Sequence, residues 1–366
     1  MLQKSNMRKS YNIQTEKGIP MFTKSIYRKP IIFVLLAFVV FYGCSDRQST
    51  EKPKTADTPS QEREWLSILG GAAGGSFSQF AGGIRQVLAK HEPHIKISVD
   101  GSAGSVENTR RVNGDPESLG VVFASESYLG YHGEEIFAEE GPKTNIRVVT
   151  LLFIAYDQFS TLANSDVHQF EDIVGRKIAA GANGSGTAQT LERLSKLVGI
   201  WGDFTPIYKG GTAAAEALQD GQVDGFQWLV SVPNSAVIQL TAIKSIRMLD
   251  LDAPAQKYGF YEKYPFYLSG TLPEGAYEGK VEPVNTILMP TVLIAHKDVS
   301  EASVYAMLKH IYSQEGHQMM LLTNQAAADM TIENGPKAFV IPLHRGAHKF
   351  WSEQGVEIPE HAMPVD

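Results

Sequence analysis

The chain has 366 residues, with 33 Lys and Arg against 40 Asp and Glu and a formal net charge of −7. That mildly acidic balance argues against a nucleic-acid partner, which a protein grips through a surplus of basic side chains. A single cysteine, Cys44, excludes an internal disulfide.

The first feature in chain order is an export segment at 1–43. Lys24, Arg28 and Lys29 precede an unbroken apolar run at 31–42, which stops at Gly43-Cys44-Ser45. A basic start, a short apolar stretch and a small residue at the break describe an export signal. The run is too short to span a bilayer comfortably. Cys44 directly after it looks like the lipidated first residue of a bacterial lipoprotein, the alternative being an uncleaved membrane anchor. Residues 1–20 lack signal character, so Met21 is a second candidate start. Residues 44–63 are polar and proline-bearing and read as a disordered tether. About 300 residues follow, more than one core usually serves, which predicts two domains.

The spacing of apolar residues predicts strands at 66–69, 95–99, 120–124, 147–156, 177–180, 223–229 and 286–296. Helices are predicted at 79–90, 106–112, 187–198, 211–219 and 301–312. Alternation of this kind means an α/β chain with a parallel or mixed sheet covered by helices. The two long apolar strands, 147–156 and 286–296, bracket a middle section with its own strand–glycine–helix unit. The expected organisation is therefore lobe 1 from 64–151 and 292–358, lobe 2 from 152–291, and a tail at 359–366. The chain crosses twice between the lobes, and a cleft lies between them.

Five glycine-rich breaks punctuate this pattern: LGGAAGGSF (69–77), DGSAGS (100–105), AAGANGSGT (179–187), YKGGT (208–212) and PLHRGA (342–347). A strand that turns through glycines straight into a helix offers unpaired N–H groups backed by the positive end of the helix, a seat for an anion. The first three breaks read as ligand loops and the last two as structural turns. The candidate ligand-binding residues are Gly75, Ser76 and Phe77 at the first loop and Ser102, Gly104 and Ser105 at the second. Asn183, Ser185, Gly186 and Thr187 follow at the third, with Ser125, Tyr156, Gln227 and Trp228 at strand ends. Each loop hydroxyl can instead cap its helix, and the two roles are compatible. The aromatics can instead be core. Arg110 and Arg111 fall on an amphipathic helix and read as solvated, as do the pairs Glu134-Glu135 and Glu139-Glu140.

Enzyme signatures are missing. His344 and His348 are four apart but belong to no HExxH, and Pro342 and Gly346 interrupt a common helical face. Ser185 lies in G-S-G rather than G-x-S-x-G, and GANGSGT lacks the Gly-Lys-Ser/Thr of a nucleotide loop. No catalytic residue, metal or cofactor is expected.

Six segments in order carry a family resemblance: AAGGSFSQFAGGI, GSAGSVENTRRVNGD, GANGSGTAQTLERL, AAAEALQDGQVDGFQW, KYPFYLSGTLPEGAYEG and IPLHRGAHKFWSEQG. Over about 64–358 the chain resembles the TAXI-type solute receptors of tripartite (TRAP) transporters. The resemblance implies a type II periplasmic-binding-protein-like fold, with two α/β lobes, a hinge and an interlobe cleft. It also implies a small carboxylate or amino-acid ligand and a TRAP-type membrane permease as partner. The chain departs from the family pattern at Ser76-Phe77, Ala124-Ser125-Glu126, Phe153-Ile154-Ala155, Gln158 and Ser231-Val232-Pro233. The lost carboxylate and histidine mean that glutamate specificity is not carried over. The expectation is an exported, periplasmic, lipid-anchored receptor for a small organic anion. The alternatives are a lobe pair that signals to a membrane sensor, or a hydrolase on the same frame.

Overall fold

The computed structural model describes residues 63–277 and 281–365. The export segment, Cys44 and all but the last residue of the tether lie outside the described residues. Strand β1 (Glu64–Leu69) buries Leu66, Ile68 and Leu69, then turns through a glycine loop into helix α1 (Ser76–His91). Helix α1 buries Phe77, Phe80, Ile84, Val87 and Leu88 along one face, as helical spacing requires. The same unit recurs with β2 (Ile95–Asp100) and α2 (Ser105–Gly114). Strand β3 (Ser118–Phe123) runs directly into α3 (Ala124–His132), and the long β4 (Ile146–Leu162) follows. Two further strand–loop–helix units are β5 (Lys177–Ala179) with α4 (Gly186–Val198), and β6 (Thr205–Ile207) with α5 (Thr212–Gln219).

Strand β7 (Gly225–Val230), helix α6 (Ser235–Ile243) and strand β8 (Ile246–Met248) come next. Helices α7 (Asp252–Lys257) and α8 (Phe260–Lys263) and strand β9 (Leu268–Leu272) lead to the second long strand, β10 (Val284–His296). Helices α9 (Glu301–Ile311), α10 (Gln314–Thr323) and α11 (Arg345–Glu353) close the chain.

The strands form one mixed sheet in the order β2-β1-β3-β10-β4-β7-β5-β6, with β8 beside β4 and β9 beside β10. Pairing is parallel at β2-β1-β3 and at β7-β5-β6, and antiparallel where β10 and β4 join these two sets. Strand β4 pairs with β10 up to Tyr156 and with β7 from Tyr156 to Thr161, so one strand serves both sets. The α/β architecture expected from the alternating pattern is the one observed. Each parallel set sends its helices off from the carboxyl ends of its strands, where open α/β sheets place ligands.

Strand β4 runs six residues past the predicted end at 156. Helix α3 (ASESYLGYH) was not expected, because Ser and Gly are weak helix formers; docking decides it, and Ala124, Ser125, Glu126, Ser127, Leu129 and Gly130 are all buried. The PLHRGA stretch is a helix start. His344 is the N-cap of α11: its Nδ1 accepts from Gly346 N at 3.2 Å and its Nε2 donates to Val299 O at 2.9 Å. His348 sits one turn further on, its N–H donating to His344 O. Among the described residues, no group of three or more His, Cys, Asp or Glu is placed to hold a metal ion.

Candidate ligand-binding site

The N-caps of α1, α2, α4 and α5 are Gly75, Gly104, Ser185 and Gly211, and all four line one cavity of about 50 Å³. Each follows a parallel strand through a glycine loop, so the repeated local unit becomes four helix starts aimed at one space. The first two N–H groups of α1, α2 and α4 (Ser76, Phe77, Ser105, Val106, Gly186, Thr187) donate to no acceptor among the described residues. Helix starts carry partial positive charge, so their convergence makes the cavity electropositive without any basic side chain.

Phe77, Phe123, Trp228, Leu229 and Val230 supply the apolar part of the wall. The rings of Phe77 and Phe123 meet edge to face at 4.9 Å. The volume is far below the roughly 300–1,000 Å³ of open ligand clefts, because the loops touch. Glu107 N donates to Gly184 O at 3.4 Å, joining the second loop to the third. Gly211, at φ 62°, brings the fourth loop so close to the first that a Cβ there would lie 2.9 Å from Ala73 O. Ser76 Oγ and Ser231 Oγ lie 2.6 Å apart, and Asn324 Nδ2 donates to Ser231 Oγ at 3.1 Å and to Gln79 Oε1 at 2.6 Å. The cleft is shut.

Of the residues singled out in the sequence, Gly75, Ser76, Phe77, Gly104, Ser105, Ser185, Gly186, Thr187 and Trp228 line this cavity. Five others do not. Ser102 holds the second loop together, donating to Gly70 O and accepting from Gly104 N. Ser125 is buried and donates to Glu126 Oε2 at 2.7 Å. Tyr156 packs against the apolar cluster around Phe226 and Trp228, and burial raises its pKa. Asn183 is exposed at the tip of its loop. Gln227 is buried against Asp157, to which its Nε2 donates at 2.6 Å.

Sequence reasoning missed Phe123, and it assigned Gly210 and Gly211 of YKGGT to a structural turn, whereas both line the cavity. The usable signal was the repeated strand–glycine–helix unit, obscured because β6 is three residues long and contains Pro206. Gly186 does two jobs. A Cβ there would fall 2.4 Å from the buried Phe123 ring and 2.8 Å from Glu126 Oε2, so a larger residue would disturb the core as well as the cavity.

An α/β sheet of two parallel sets sharing an antiparallel pair, closed over a cavity built from helix starts, is the architecture of periplasmic solute-binding proteins. The chain belongs to the NMT1-like family, whose pattern matches residues 68–355. Among solved structures it is similar to MatC from Rhodopseudomonas palustris with bound malate, at 15% identity and a TM-score of 0.52, covering 79% of this chain and 97% of that one. It is also similar to the periplasmic aliphatic sulphonate binding protein SsuA from Escherichia coli, at 15% identity and a TM-score of 0.40, covering 82% and 96%. The likeness is one of fold.

Proposed function

We propose that the chain is an exported solute receptor that binds a small organic anion in a cleft between two lobes and delivers it to a membrane permease. The observation that carries this reading is the convergence of four helix N-termini on a cavity whose lining contains no ionisable side chain. The lobes are residues 64–151 with 292–358, and 152–291, with β4 and β10 as the crossings. A closed cleft with so little free space admits ligand only when the lobes part. The ligand then stabilises the closed state by the contacts it makes in that state alone.

The six ordered motifs favour a TAXI-type receptor and a TRAP-type permease, and Cys44 after the apolar run favours a periplasmic protein held to the membrane by a lipid anchor. Thermal unfolding over a panel of organic anions tests the receptor reading. A true ligand at a hundredfold its dissociation constant stabilises by about 2.7 kcal/mol. A panel in which no small anion raises the melting temperature defeats it.

A further inference from the structure

We infer that this cavity selects compact oxyanions that carry no ammonium group, and takes short carboxylates or sulfonates in preference to amino acids of the same skeleton. The inference rests on the receptor reading above and concerns what the site can hydrogen-bond.

The polar side chains of the lining are hydroxyls, at Ser76, Ser105, Ser185 and Thr187. Every one of these oxygens already accepts a backbone N–H. Ser76 Oγ accepts from Ser231 N at 3.2 Å, Ser105 Oγ from Phe123 N at 3.0 Å, Ser185 Oγ from Ala188 N at 3.1 Å and Thr187 Oγ1 from Leu229 N at 3.3 Å. A hydroxyl whose oxygen is engaged in this way retains its O–H as a donor. The hydroxyls of Ser105, Ser185 and Thr187 donate to no acceptor among the described residues, although these residues are only 0%, 8% and 4% exposed. Each of the three also keeps one lone pair, but together with the unpaired helix-start N–H groups the wall offers more donors than acceptors.

An oxyanion satisfies such a wall, whereas an ammonium group needs acceptors. One carboxylate lies close behind the wall, Glu126 beneath Gly186, and it is already committed. Its Oε1 accepts from Arg193 at 2.8 Å and its Oε2 from Ser125. An ammonium sealed into this space would meet mostly donors and compete for the second lone pairs of the hydroxyls and the loop carbonyls, so it would be poorly paired where an oxyanion is well paired. The small volume and the rings of Phe77, Phe123 and Trp228 leave room for a short apolar tail and little else.

Pairs that differ by one ammonium group test this in the whole protein, with isobutyrate and propane-1-sulfonate, which carry a methyl in its place, as size controls. A control as weak as the ammonium compound assigns the loss to size and overturns the ammonium argument. Binding is measured by calorimetry and thermal shift for propionate against L-alanine, and for ethanesulfonate against taurine. The expected result is that at least one deaminated member binds and its ammonium-bearing partner binds at least about 100-fold more weakly. Alanine or taurine binding as tightly as its partner overturns the inference and leaves the receptor reading intact. So does binding confined to larger organic anions, which refutes compactness. Silence from every small solute overturns both. Whichever head group binds, the comparison of propionate with ethanesulfonate shows which of the two the donors were built for.

Discussion

Asp157 is buried on β4 with one oxygen accepting from Gln227 Nε2, while its Oδ1 and Gln227 Oε1 both lack a donor. A protonated acid has a hydrogen to give where two acceptors wait; an ionised one has none. Burial pushes the Asp157 pKa up to about 8, opposed only in part by the Gln227 bond. In the unfolded chain the acid titrates near 4, so between about pH 4 and pH 8 the native state holds a proton that the unfolded state has released. Stability therefore falls as pH rises through that window, by up to about 1.4 kcal/mol per unit, and levels off above it. Asp157→Asn keeps a donor and an acceptor at every pH. Urea unfolding from about pH 5 to pH 9 should show a flatter profile for the variant and greater stability at the alkaline end; a slope equal to the wild type's would rule this out. The same pair shows why Gln227 was misread. A strand end is visible in sequence, but the face is not, because register decides it. With Phe159 opposite Gln227, the side chain turns to Asp157 while its neighbour Trp228 turns to the cavity.

Helix α4 illustrates what an element contributes beyond its own hydrogen bonds. Its start lines the cavity, and about two turns in, Arg193 enters a largely buried polar cluster. Its guanidinium donates to Glu126 Oε1 and Tyr267 OH, both at 2.8 Å, and to Glu135 Oε2 at 2.9 Å, with Arg193 3% and Glu126 0% exposed. Removing one partner of such a pair strands a buried charge, a loss of about 3–5 kcal/mol. Arg193→Met should lower unfolding stability at neutral pH by that amount, and adding Glu126→Gln should restore much of it. A single variant as stable as the wild type would show that the pair does not hold α4 in place. The helices with glycine starts and strong apolar periodicity, α1, α2, α4 and α5, were legible in the sequence to within a few residues. Helices α3, α6, α7, α10 and α11 were not. Their residues favour helix weakly or carry breakers nearby, and docking on the sheet supplies what propensity does not. The buried ion pair was equally hidden, since Glu126 and Arg193 look like ordinary surface charges until α3 and α4 are packed together; Glu135, which also accepts from Arg193, stays exposed.

At the scale of the whole molecule, the contacts that shut the cavity are few and polar. Beyond the serine pair, the Asn324 amide and the Arg193 bonds to Glu126 and Glu135, the loops meet backbone to backbone. Ala103, on the cavity wall, lies against Gly184, where an added Cβ would be 3.9 Å from the Ala103 Cβ. Ala103→Leu puts a wedge between the second and third loops and fills scarce volume. It should weaken ligand binding by more than about 10-fold and leave the protein more extended by small-angle scattering at ligand concentrations that compact the wild type. Its unliganded melting temperature should be unchanged, since the core is untouched. Equal compaction of variant and wild type would show that closure does not depend on these loops meeting.

The place of β10 bears on how the molecule is made. This strand lies between β3 and β4, yet its residues leave the ribosome long after both of its neighbours. Until it arrives, β3 and β4 each present an unpaired edge and the first parallel set has no stable boundary. Because closing the sheet requires pairing across so long a stretch of chain, it can be completed only once synthesis has passed residue 296. The central strand thus ties completion of the sheet to the last part of the chain to be made.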